Sequence, residues 1–84
     1  MIRLEIVVPE GLVGPRVLVN GAVHDRFLRG RITVSGLAPG PHTIAVGADG
    51  CAGKVMVIVL HPGETRRLEV PLRPRRGEAV PGAM

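Results

Sequence analysis

The chain has 84 residues, enough for one domain and no more, since domains rarely fall below about 50 residues. Hydrophobic residues make up 45% of it, too many for a disordered chain, yet aromatics contribute 1%, the single Phe27, so Val, Leu, Ile, Ala and Met must build the core. Eleven Lys and Arg against seven Asp and Glu leave a net charge of +4, and the lone Cys51 excludes an internal disulfide and any multi-cysteine metal cage.

Twelve Gly and eight Pro disfavour long helices and favour tight turns. Ile2, Leu4, Ile6 and Val8 alternate with Arg3, Glu5 and Val7, which predicts a first strand with one apolar face. Pro9-Glu10-Gly11 interrupts it. Val17 and Val19 then alternate with Arg16, Leu18 and Asn20. The strand ends at Asn20-Gly21, a pair that tolerates positive φ at both positions and so signals a hairpin. The return strand is expected over residues 22–28. Arg29-Gly30 breaks the pattern and Arg31-Ile32-Thr33-Val34-Ser35 resumes it.

Gly36-Leu37-Ala38-Pro39-Gly40-Pro41 reads as a rigid turn, because Pro presets φ and Gly accepts positive φ. His42-Thr43-Ile44-Ala45-Val46 follows, with Ile44 and Val46 on one face. Ala48-Asp49-Gly50 and Gly53 mark the next connection. The segment 54–60 is apolar on both faces, as expected of a central or doubly covered strand. Pro62-Gly63 leads into a last strand whose Leu68, Val70 and Leu72 face inward. Pro71 removes one ladder donor, which places that strand at an edge. About seven strands at a spacing of roughly 8–12 residues, with no 3.6-residue apolar stripe, predict an all-β sandwich or barrel. The domain is expected to span residues 1–73, with a flexible tail over 74–84 where Pro, Gly and few large apolar groups cannot offset the ordering entropy.

Several of these segments occur in a known order: Val17-Leu18-Val19-Asn20-Gly21, Gly36-Leu37-Ala38-Pro39-Gly40-Pro41-His42-Thr43-Ile44, Asp49-Gly50, Pro62-Gly63-Glu64-Thr65 and Leu68-Glu69-Val70-Pro71-Leu72. From Arg16 to Leu72 the chain resembles the PEGA domain and the carboxypeptidase regulatory-like domains. It departs from them where Gly14-Pro15-Arg16 replaces the Pro-Glu-Gly-Ala signature. It departs again where His42 and Cys51 stand in place of the usual aromatics. The resemblance implies a small Ig-like, prealbumin-like sandwich of about seven antiparallel strands. It also implies a non-catalytic accessory or interaction module, usually in surface or envelope proteins, and it carries over no catalytic residues.

Candidate chemistry is sparse. His24, His42, His61, Cys51 and Met56 include possible metal ligands, but no HxH, HxxxH or CxxC spacing brings them together, so no metal or other cofactor is expected. Cys51 and Ser35 lack a nucleophile-elbow context, Asp25 and Glu64 fall at turns, and a small sandwich leaves little room for a ligand pocket; an enzyme is not expected. A polyanion-binding alternative rests on Arg26, Arg29, Arg31, Arg66 and Arg67. Tyr and Trp are absent, so no stacking platform for single-stranded nucleic acid exists and nucleic acid is an unfavoured partner. The doubly apolar strand carries the stronger signal. If Val55, Val57 and Val59 face the core, then Met56, Ile58 and Leu60 need a cover, with Val7, Val13 and Leu18 as extensions of the same patch. Either the middle of the sandwich or another subunit supplies that cover. A protein partner or a homo-oligomer follows from the second option.

The N-terminal apolar stretch carries charges of both signs, so it predicts no signal peptide. The longest apolar run, residues 55–60, is far short of the ~18 needed for a membrane span. Cytoplasmic residence is the resulting expectation, or envelope association if the chain is part of a larger protein or assembly.

Overall fold

The computed structural model describes residues 1–74. Seven strands form: β1 (Ile2–Val7), β2 (Arg16–Val19), β3 (Ala22–His24), β4 (Arg31–Leu37), β5 (Gly40–Gly47), β6 (Lys54–Leu60) and β7 (Thr65–Glu69). They make two sheets, one ordered β4-β1-β7 and the other β3-β2-β5-β6. The all-β sandwich expected from the alternation is what the chain forms. The alternating positions of β1, β4 and β5 supply its interior: Leu4, Ile6, Ile32, Val34, Ile44 and Val46 are buried and pack with Val17, Val19, Val70 and Leu72. Leu68 packs against this core from partial exposure, so the inward set of the last segment is as expected.

The Asn20-Gly21 signal produces the β2–β3 hairpin, with both residues at positive φ (52° and 87°) and Val19 opposite Ala22. The return strand is shorter than expected. It ends at His24, and residues 25–30 form a connection that hands the chain from one sheet to the other, with Leu28 bridging Arg31. Arg29 and Gly30 both take positive φ there (52° and 77°). Val8 N–H donates to the Gly30 carbonyl at 2.7 Å, and a Cβ at position 30 would collide with the Val8 carbonyl oxygen. This close approach requires glycine and locks the entry to β4.

The pairing is not antiparallel throughout. β7 lies parallel to β1, with Leu68 opposite Ile6, because the chain crosses from one sheet to the other between β6 and β7 before joining the three-stranded sheet. As Pro71 implied, β7 is an edge strand, although Pro71 itself falls just beyond it. Of the expected tail, Pro74 forms an isolated bridge with Cys51, and residues 75–84 lie outside the described residues.

The largest correction concerns β6. The strand is not central; it is the edge of the four-stranded sheet. Its faces are also the reverse of the expected ones. Register with β5 sets Met56 opposite the buried Ile44 and Ile58 opposite the buried His42, so Met56, Ile58 and Leu60 point inward and Leu60 is only 1% exposed. Val55, Val57 and Val59 point outward at 74%, 68% and 50% exposure. The larger side chains fill the space between the sheets, while the compact valines take the outer pleat.

Candidate interaction surface

The outer faces of the two sheets differ in chemistry. On the three-stranded sheet, Glu5 of β1 stands between two cations: Arg31 of β4 and Arg67 of β7 each approach one of its carboxylate oxygens at 3.9 Å. Arg67 also meets Glu69 at 3.2 Å. These pairs are largely exposed and add little stability, but they give this face a charged surface with both signs interspersed.

The four-stranded sheet presents the opposite. Val23, Leu18, Ala45 and Val55 are successive cross-strand partners, so a continuous apolar row crosses β3, β2, β5 and β6. Val57 opposite Thr43 and Val59 opposite Pro41 extend it along β6. Beside the row, a shallow depression of about 160 Å³ opens over Gly47 and Gly53, where side chains are absent, with Leu18, Ala45 and Val55 in its lining. Of the residues expected to extend the outward patch, Leu18 belongs to it. Val7 lies on the other sheet, and Val13 is an exposed loop residue.

The predicted interface set therefore splits by position. Met56, Ile58 and Leu60 face the interior, and the outward residues of the same strand are Val55, Val57 and Val59. Parity is weak evidence in a strand that is apolar at every position after Lys54. Lys54, the one polar residue of the strand, shares the parity of the inward Met56, Ile58 and Leu60 and so does not mark the outer face.

The five arginines of the polyanion reading are not one patch. Arg26 and Arg31 line a cleft of about 560 Å³ beside the β3–β4 connection, together with Glu5, His24 and Asp25, so both signs of charge meet there. The cleft is roomier than a sandwich of this size predicts. Arg29 lies on the same connection. Arg66 and Arg67 are on β7, where Arg66 binds Glu64 and Arg67 binds Glu5 and Glu69. Among the described residues, Arg26 and Arg29 are the members of the set without a carboxylate partner.

The three histidines and Cys51 are dispersed. His24 lines the cleft, His61 is exposed after β6, and Cys51 is buried as a free thiol. Among the described residues, no three His, Cys, Asp or Glu side chains converge on one point. His42 is buried at 7% exposure, sharing the inward face with Ile44 and Val46 as its parity predicts. Its ring is fully bonded. Asn20 Oδ1 accepts the Thr43 N–H at 2.9 Å, which fixes the amide and turns Asn20 Nδ2 toward His42 Nδ1 at 2.8 Å. His42 Nδ1 is thus the acceptor, and Nε2–H donates to the Ala38 carbonyl at 2.6 Å.

The turn between β6 and β7 carries a clip of its own. Glu64 accepts the His61 backbone N–H at 2.8 Å through Oε1 and the Arg66 guanidinium through Oε2. These bonds, the backbone one first, hold the Glu64 carboxyl below the usual carboxylate range. Arg66 reaches past Glu64 to donate to the Val59 carbonyl at 3.1 Å, tying β7 to β6. Among the described residues, no helix is long and apolar enough to cross a membrane. In comparisons with known proteins, no family model and no curated protein matches the chain.

Proposed function

We propose that this chain is a non-catalytic interaction module of the PEGA-like or carboxypeptidase regulatory-like kind, which self-associates through the outer face of its four-stranded sheet. The observation that carries this reading is the apolar row Val23, Leu18, Ala45 and Val55, joined along β6 by Val57 and Val59. Contiguous exposed apolar surface of this kind marks interaction sites, whereas scattered single residues do not. The outer face of the other sheet supports the assignment by contrast, since Glu5, Arg31, Arg67 and Glu69 pair there among themselves.

Sedimentation of the wild type beside Val57→Asp tests the reading. The wild type is expected to associate in the micromolar range and Val57→Asp to remain a folded monomer, because position 57 lies outside the core. A wild type that stays monomeric throughout that range contradicts it. The polyanion alternative keeps Arg26 and Arg29 as available cations. Its test is a salt series, in which phosphate contacts give a log-linear loss of affinity.

A further inference from the structure

Alternation along β6 governs its backbone as well as its side chains. Thr43 of β5 directs both main-chain groups toward β2: its carbonyl accepts the Asn20 N–H at 2.8 Å and its N–H donates to Asn20 Oδ1 at 2.9 Å. Val57, directly opposite Thr43 on the other side, therefore receives no ladder bond from it and turns its N–H and C=O to the open edge. The same parity applies to Val55 opposite Ala45, and to Val59 opposite Pro41, which has no N–H to give. Among the described residues, one of these edge groups is bonded, the Val59 carbonyl that accepts from Arg66, and a carbonyl oxygen has a second lone pair.

We propose that this edge pairs with the same edge of a second copy, antiparallel about a two-fold axis at Val57, joining two four-stranded sheets into one of eight. The inference rests on reading the four-stranded sheet as the place of self-association and locates the contact at its β6 edge. There the outward Val55, Val57 and Val59 of the two copies meet side by side, and the apolar row runs on across the joint. Residues 54–60 have the composition of a central strand but occupy an edge, and strand addition makes the position central. An open edge of main-chain donors and acceptors fits an extended strand rather than a helix or a small ligand.

The segment Val55-Met56-Val57-Ile58-Val59 is self-complementary. With Val57 opposite Val57 of the second copy, Val55 meets Val59 and Met56 meets Ile58, so every pair in the segment is apolar. The half-buried Met56 and Ile58 gain cover on the inner side at the same time. The two Lys54 side chains fall at opposite ends of the joint, about 20 Å apart, whereas parallel pairing in register would set them side by side. The other edge of the same sheet, β3, has only three residues, and a β6-to-β3 joint would be head-to-tail rather than two-fold symmetric.

Single cysteines placed on β6, with sedimentation run in parallel, test the pairing. Buried Cys51 is out of reach, so oxidised wild type is the control and is expected to show no covalent dimer. Val57→Cys is expected to form a covalent dimer, because a hydrogen-bonded antiparallel pair holds its Cα atoms about 5.5 Å apart, within disulfide reach. Val55→Cys alone is expected not to cross-link, its symmetry mate lying about 14 Å away. Mixing it with Val59→Cys is expected to restore cross-linking. Association without a Val57→Cys dimer, or equal cross-linking of Val55→Cys alone, overturns the two-fold register and leaves self-association standing. A monomer by sedimentation with no cross-link at position 57 overturns both.

Discussion

Asn20 shows how much one side chain can decide. Its φ of 52° opens the hairpin turn, and its amide satisfies both the Thr43 N–H and the buried His42 ring. Only the first role is legible in the sequence, because Asn-Gly is a local signal and the contact with His42 spans 22 residues. Replacing Asn20 should therefore separate the two roles in chemical denaturation. Asn20→Gly keeps the turn and loses the side-chain bonds, at a cost of about 1–2 kcal/mol. Asn20→Ala should cost more, about 2–3 kcal/mol, since alanine keeps the β-carbon in the left-handed region without the local polar bonds that let Asn occupy it. Equal stability of the two variants would show that the turn conformation carries no cost of its own.

At the scale of elements, alternation located the strands well wherever polar residues mark one face, as in β1, β4 and β5. It failed for β6, because a strand apolar on both sides has no intrinsic parity; its orientation comes from its register against β5. It also overran β3: the run His24-Asp25-Arg26 breaks the alternation where the chain leaves the sheet, and the expected strand continued across it to Leu28. The link between β6 and β7 is sensitive to acid. Glu64 is held below the usual carboxylate range, so its contribution to folding is full above the unfolded value and is lost as pH falls through the lower folded one. Carbon-detected titration of the Glu64 carboxyl should give a midpoint below the ordinary value, and Arg66→Ala should raise it. An ordinary midpoint in the wild type would contradict the clip.

Across the whole molecule, the two outer faces divide the labour: one sheet carries interleaved charge and the other an apolar row that ends at an open edge. The fold class was readable because period-2 burial needs no knowledge of which strands pair. The parallel β1–β7 contact and the edge position of β6 were not, since both depend on how the chain crosses between layers. The backbone of β6 decides between an open and a paired edge, and amide hydrogen exchange followed by NMR over a dilution series reads it directly. The Met56 and Ile58 amides face β5 and should be protected at every concentration. Those of Val55, Val57 and Val59 should exchange quickly when dilute and become protected as the protein associates. Fast exchange of all three valine amides in a concentrated, associated sample would contradict the paired edge.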